Sequence, residues 1–169
     1  MPGEADQLRM GQVADQMRWD DNVVENYEFD YVKWPFYWLA RADRTYLTLI
    51  EKALARVNLD VPSWRVLMIL HGQQTASVSE ISEHAIVKLS TMTKIIQRMQ
   101  AEGLVTSGPS EEDRRVTMVT ITEEGERRGR DAWRECQRIS TRIFADFTDV
   151  ETQILVSLLQ KLSRSLQEY

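Results

Sequence analysis

The apolar residues of this chain change their period at Gly103, and that change restricts the fold more than any other feature. Met92, Ile95, Ile96 and Met99 recur every three or four residues, the spacing of one helix face. Ser90 can cap such a helix and Gly103 can stop it. Immediately beyond, Leu104-Val105 begins a strand, and Val116 to Ile121 is a second, rich in β-branched residues. Gly108-Pro109-Ser110-Glu111-Glu112-Asp113-Arg114-Arg115 lies between them as a polar, turn-rich tip. A chain that reads this way combines helices with one small hairpin.

Helical spacing prevails on both sides. From Pro35 to Val57 the stripe is Phe36, Leu39, Tyr46, Leu47, Ile50, Leu54 and Val57, and Asn58-Leu59-Asp60 breaks it. Pro62 opens a second helix with Val66, Leu67 and Leu70 on its apolar face, closed by Gly72. Ser79 can cap a short third helix holding Ile81 and Ala85. Thr122, with Glu123 and Glu124 at the positive end, starts a long helix to about Asp146. Its stripe is Ala132, Trp133, Cys136, Ile139 and Ile143. Thr148-Asp149-Val150-Glu151 is a capping box, and Leu155, Leu158, Leu159, Leu162 and Leu166 share one face of the final helix. The predicted order is four helices, two strands and two helices: mainly α with a small β-hairpin.

The formal net charge of −5 over 169 residues is unevenly placed. Residues 1–30 carry eight acids against Arg9 and Arg18, so the rest of the chain is nearly neutral and local clusters decide. No unbroken apolar run approaches the roughly 20 residues a membrane span needs, so no membrane partner is expected. The acidic start does not read as a signal peptide, and the cytoplasm is the expected compartment. A single cysteine, Cys136, excludes an internal disulfide and a multi-cysteine metal site, and His71 and His84 lack neighbours at ligand spacing. With no Gly-rich phosphate loop and no nucleophile arrangement, neither an enzyme nor a cofactor is expected.

The helix from Ser90 carries the functional argument. Opposite its apolar stripe it offers Thr91, Lys94, Gln97 and Arg98, with Ser90 and Thr93 near its start and no acid before Glu102. These side chains suit phosphates and base edges, and a helix of roughly 20 Å fits a major groove of double-stranded DNA. The hairpin tip adds Asp113, Arg114 and Arg115. Adjacent arginines suit a narrow minor groove, with Asp113 expected to brace Arg115 by a charge-assisted contact.

Val78-Ser79-Glu80-Ile81-Ser82, Leu89 to Met99 and Glu102-Gly103-Leu104-Val105 resemble the helix-turn-helix of the MarR family of bacterial regulators. Asp113-Arg114-Arg115-Val116 and Ile121-Thr122-Glu123-Glu124-Gly125 are similar to that family's wing and its exit into the long helix. The resemblance implies a winged helix-turn-helix plus a helical dimerisation domain, acting as a homodimeric repressor released by a small ligand. On that reading residues 1–33 are an acidic N-terminal arm, 34–61 and 122–169 a helical dimerisation region, and 62–121 the DNA-binding domain. Two-fold symmetry then implies a palindromic operator with half-sites about 10–10.5 base pairs apart. Thr106-Ser107-Gly108 departs from the arginines many relatives place there, which bears on phosphate contacts and not on the fold. The alternative is an architectural module whose winged helix binds a protein.

Seven of the 14 aromatic residues fall between Tyr27 and Trp38. Trp34, Tyr37, Trp38 and Arg41 have the spacing of one helix face, and an arginine among flat rings suits an aromatic carboxylate. The family binds aromatic acids between its first helices and the winged domain, where His71 is expected to reach. Packing of the arm is the other reading, and both stand. Cys136, on an apolar stripe, reads as an inert core residue rather than a redox sensor.

Overall fold

The computed structural model describes residues 30–168, so most of the acidic arm expected over 1–33, with Tyr27 and Phe29, lies outside the described residues. The chain divides into two compact units between Ala42 and Asp43.

In the first unit a single 3-10 turn, Tyr31–Lys33, is capped by Asp30, whose carboxylate accepts the Val32 amide at 3.1 Å. Helix α1 (Pro35–Ala55) opens on proline, whose missing N–H is no loss at a helix start. Its later residues belong to the second unit, where Ile50, Ala53 and Leu54 are buried.

The second unit continues with α2 (Val61–Gln73), β1 (Thr75–Ser77), α3 (Val78–His84), α4 (Leu89–Ala101), β2 (Val105–Pro109), β3 (Thr117–Ile121), α5 (Glu123–Ile143) and α6 (Asp149–Gln167). The sheet is antiparallel in the order β1-β3-β2, with Ala76 opposite Val119 and Ser107 opposite Val119 on the other side. Its core joins Ile50 and Leu54 of α1 to Leu67 and Leu70 of α2, Ile81 of α3, Met92, Ile96 and Met99 of α4, and Ala132 and Cys136 of α5. The winged-helix architecture is as expected, with α3 and α4 as the helix pair and β2–β3 as the wing.

Local details differ from expectation. Strand β1 was not anticipated; three residues with no alternating pattern acquire strand geometry only by pairing with β3. Ser77, not Ser79, caps α3 in a reciprocal box with Glu80, placing Ser79 inside the first turn. Helix α4 begins at Leu89 after Lys88, with no side-chain cap, so Ser90 is not its cap. Gly72 does not end α2; the chain turns at Gln74, a non-glycine residue with φ 64°. Helix α5 stops at Ile143, short of Asp146, and Phe144 and Phe147 meet edge to face at 5.3 Å beyond it.

The wing is locked to α5 at one corner. Gly103 takes φ 72° and turns the chain out of α4. Thr122 then caps α5, accepting the Gly125 amide at 3.0 Å, while its hydroxyl lies 2.7 Å from the Gly103 carbonyl and its amide donates to Leu104 at 3.1 Å. A Cβ on Gly125 would stand 2.1 Å from the Leu104 carbonyl oxygen, so only glycine allows α5 to approach this closely. Gly125→Ala should therefore lower unfolding stability by about 3 kcal/mol, the upper end of ordinary overpacking because backbone must yield. Denaturant unfolding checks this, and an unchanged midpoint would refute the tight corner.

Candidate nucleic-acid interface and ligand cavity

Helix α4 divides cleanly. Met92, Ile95, Ile96 and Met99 are buried, and Ser90, Thr91, Thr93, Lys94 and Gln97 are exposed on the opposite side. Helix α3 braces it through the fully buried Ile81. No side chain caps the start of α4, where the positive end of the helix dipole lies. One residue missed by sequence reading stands beside it: Ile86, in the turn from α3, is 85% exposed with φ 57°. A β-branched residue in that region is a strained outlier of the kind that gathers at functional turns. Only a hydrophobic residue in a polar-free turn signals it in the sequence.

Arg98 is exposed but committed elsewhere. Its Nη2 lies 2.5 Å from Asp60 Oδ2 and 2.8 Å from Ser63 Oγ, and the same Asp60 caps α2 by accepting the Ser63 amide at 2.9 Å. The guanidinium expected among the DNA-facing groups thus ties α4 to the start of α2. Burial pushes the Asp60 carboxyl up, but the bonds from Ser63 and Arg98 outweigh it and hold the group below its ordinary value.

At the wing tip Asp113 Oδ1 accepts the Arg115 backbone amide at 2.9 Å, so the brace shapes the turn and does not grip the guanidinium as expected. Arg114 and Arg115 are exposed and have no ion-pair partner among the described residues.

The aromatic residues of the first unit are not one helix face. Trp34 precedes α1 with extended backbone, and its ring meets Phe36 at 5.5 Å, because Pro35 starts the helix one residue later. Tyr37 and Trp38 do pack together at 5.2 Å, and Arg41 donates to the Tyr37 hydroxyl at 2.9 Å while its guanidinium lies 5.5 Å from that ring's centre.

His71 belongs to the second unit, on a cavity of about 650 Å³ between α2 and α5. Trp64, Met68 and Trp133 supply apolar wall, and Arg130 and Arg134 supply cations. The sequence placed His71 at a ligand cleft but did not anticipate the other walls, because α2 and α5 lie more than 50 residues apart in the chain. Glu126 lies at one end: its Oε2 is 3.0 Å from His71 Nδ1 and 3.6 Å from Arg130, and Gln74 donates to its Oε1 at 3.1 Å. The Gln74 bond first, then that from His71, holds its carboxyl below the ordinary range. The buried Trp64 indole N–H has no hydrogen-bond partner among the described residues. Cys136 is 3% exposed, and burial chiefly, with the Glu135 charge, pushes its thiol up to about 11.

A family model described as the MarR family matches residues 59–117, from the start of α2 through the wing tip. Over 140 residues, 83% of this chain and 84% of the other, the sequence is 44% identical to the HTH-type transcriptional repressor IacR of Pseudomonas putida. The homoprotocatechuate degradative operon repressor of Escherichia coli is 26% identical over 78% of this chain and 84% of its own. The chain belongs to the MarR family. Among solved folds, the regulator BpsR of Bordetella bronchiseptica superposes with a TM-score of 0.72 at 21% identity, covering 80% of this chain and 96% of that one. As a MarR-family member the protein is a DNA-binding transcriptional regulator and not an enzyme.

Two contrasts test the interface. Lys94→Ala should weaken DNA binding, lower the salt slope by about 1 and leave unfolding unchanged, whereas Arg98→Ala should lower stability as well. Because Asp60's folded pKa is depressed, its brace is fully present above the ordinary carboxylate pKa and is lost as pH falls through the folded value. The stability gap between wild type and Arg98→Ala should therefore begin to narrow as pH falls below about 4; a gap that does not narrow on acidification removes the Asp60 partnership. Cys136→Ser should retain DNA binding with a modest stability loss, and peroxide-driven release from DNA that vanishes in this variant would overturn the inert reading.

Proposed function

We propose that the protein is a homodimeric repressor of a palindromic operator, released by a small aromatic carboxylate. The observation that carries the DNA-binding half is the exposed polar face of α4, free of acids before Glu102, together with a wing tip whose Arg114 and Arg115 have no ion-pair partner among the described residues. Ser90, Thr91, Thr93, Lys94 and Gln97 would meet the major groove, and Arg114 and Arg115 the flanking minor groove, in the turn shaped by Asp113. Arg115→Ala should weaken operator binding about tenfold without changing the fold, read by footprinting at fixed salt. Unaltered affinity removes the wing from the mechanism.

Dimerisation through 34–61 and 122–169, with 62–121 as the DNA-binding domain, is supported by α6. That helix contributes no buried residue, and Leu158, Leu159 and Leu166 are 58%, 42% and 54% exposed. So continuous an apolar face on a cytoplasmic monomer is unusual.

For the effector, the cavity offers apolar walls for a flat ring and cations for an acid, in a volume suited to a small molecule. The relatives named above include a repressor of a homoprotocatechuate degradative operon, and the BpsR structure concerns regulation by 6-hydroxynicotinic acid. The second reading seats the acid on Tyr37, Trp38 and Arg41, favoured by the stacked guanidinium. Thermal-shift titration with aromatic acids separates them, because a bound ligand raises the melting temperature by mass action. Arg130→Ala should abolish the shift and Arg41→Ala should spare it; the reverse moves the effector to the first unit.

A further inference from the structure

The cavity wall and the wing share one carboxylate. Glu126 receives His71 and Arg130 from the cavity side on Oε2, and Gln74 on Oε1. Gln74 is the residue at which α2 hands over to the sheet. Its backbone carbonyl accepts the amide of Ile121, the last residue of β3, at 3.2 Å, and the next residue, Thr75, pairs with Thr120. Strand β3 is in turn the inner strand of the wing, with Thr117 opposite Pro109 near the tip that bears Arg114 and Arg115. Gln74 also holds φ 64°, a conformation that a non-glycine residue keeps only when its surroundings enforce it. The Glu126 bond is a side-chain restraint of that kind.

We propose that Glu126 couples the cavity to the wing: an anion seated at His71 and Arg130 displaces the Glu126 carboxylate, and its withdrawal releases Gln74 and loosens β3. This rests on reading the cavity as the effector site. Two carboxylates cannot share one histidine and one arginine without repulsion, so ligand and Glu126 compete for the same donors. By linkage, the factor by which the ligand weakens DNA binding is the factor by which DNA weakens ligand binding, because the wing held by Glu126 favours DNA and its release favours the ligand. Glu126 is a positioning residue here. It touches no DNA, and it opposes the ligand rather than holding it.

That opposition gives effects of contrary sign, which a structural role alone does not. In the full-length protein Glu126→Ala should bind benzoate, salicylate or phenylacetate at least fivefold more tightly, because the competitor is gone. Without ligand it should bind the footprinted DNA fragment at least fivefold more weakly. Gln74→Ala should bind the carboxylate more tightly than wild type, because displacing Glu126 no longer breaks the Gln74 bond, and should reduce the ligand's effect on DNA at least threefold. Hydrogen exchange of the Ile121 amide should quicken in wild type on adding the carboxylate and be fast already in both variants. Glu126→Ala with wild-type DNA affinity and wild-type Ile121 exchange overturns the coupling while leaving the effector reading intact, and so does parallel loss of both affinities. If none of the three carboxylates binds wild type, the effector reading fails and takes the displacement step with it.

Discussion

The contact on which the wing and the long helix both depend is the approach of Gly125 to the Leu104 carbonyl. A chain leaving α4 has to reverse direction, form two strands and return to start α5 against the place it left. Gly103 supplies the reversal with its positive φ, and Thr122 closes the loop by capping α5 while bonding back to Gly103 and Leu104. With α5 seated there, Ala132 and Cys136 reach the core beside Leu67. The hairpin needs this anchoring, since two short strands are marginal alone. The position of Arg114 and Arg115 relative to α4 is therefore set by a corner that neither arginine touches.

The parts of this arrangement legible in the sequence are those written in local pattern. The four buried side chains of α4 follow from their spacing, and the Thr148–Glu151 box forms as read because both partners lie within one turn. Strand β1 was illegible, since Thr75-Ala76-Ser77 carries no alternation and becomes a strand only by finding β3 more than 40 residues later. The contact of Arg98 was illegible for a related reason. Its spacing puts it on the polar face, but its partner Asp60 lies 38 residues away in sequence. Gln74 replaced Gly72 as the end of α2 because tertiary bonds, including the one its side-chain amide donates to Glu126, make tolerable a φ that local preference would give to glycine. Trp34 fell off its expected face by one residue, as proline fixed where α1 begins.

Charge bookkeeping by sequence is similarly deceptive. Helix α5 holds many of the chain's arginines, yet they are largely answered along the helix itself. Arg127 and Arg128 share Glu124, Arg130 meets Glu126, Arg134 meets Asp131 and Arg138 meets Glu135. Glu124 is drawn down to about 2 by the Arg127 bond first and by Arg128. Pairs of this spacing support a helix and screen each other, leaving little field outside. Lys94 of α4 and Arg114 and Arg115 of the wing, by contrast, have no ion-pair partner among the described residues, although Glu111, Glu112 and Asp113 precede the two arginines in the chain.

Residues 125 and 126 place opposite demands on the same helix turn. Gly125 allows no freedom, since any side chain would meet the Leu104 backbone. Glu126, one residue on, is held by groups that a solute can compete for: an exposed histidine, an exposed arginine and a glutamine amide. A rigid pivot beside a displaceable contact is what a two-state wing requires. The corner keeps α5 and the hairpin together, so a change at the cavity cannot be absorbed by separating them. In the proposed coupling it would pass instead to the α2–β1 link, where Gln74 already sits in a conformation its own backbone does not favour. Under that coupling, strain of this kind would narrow the gap between the held and released states, so that a small molecule's binding energy would decide between them.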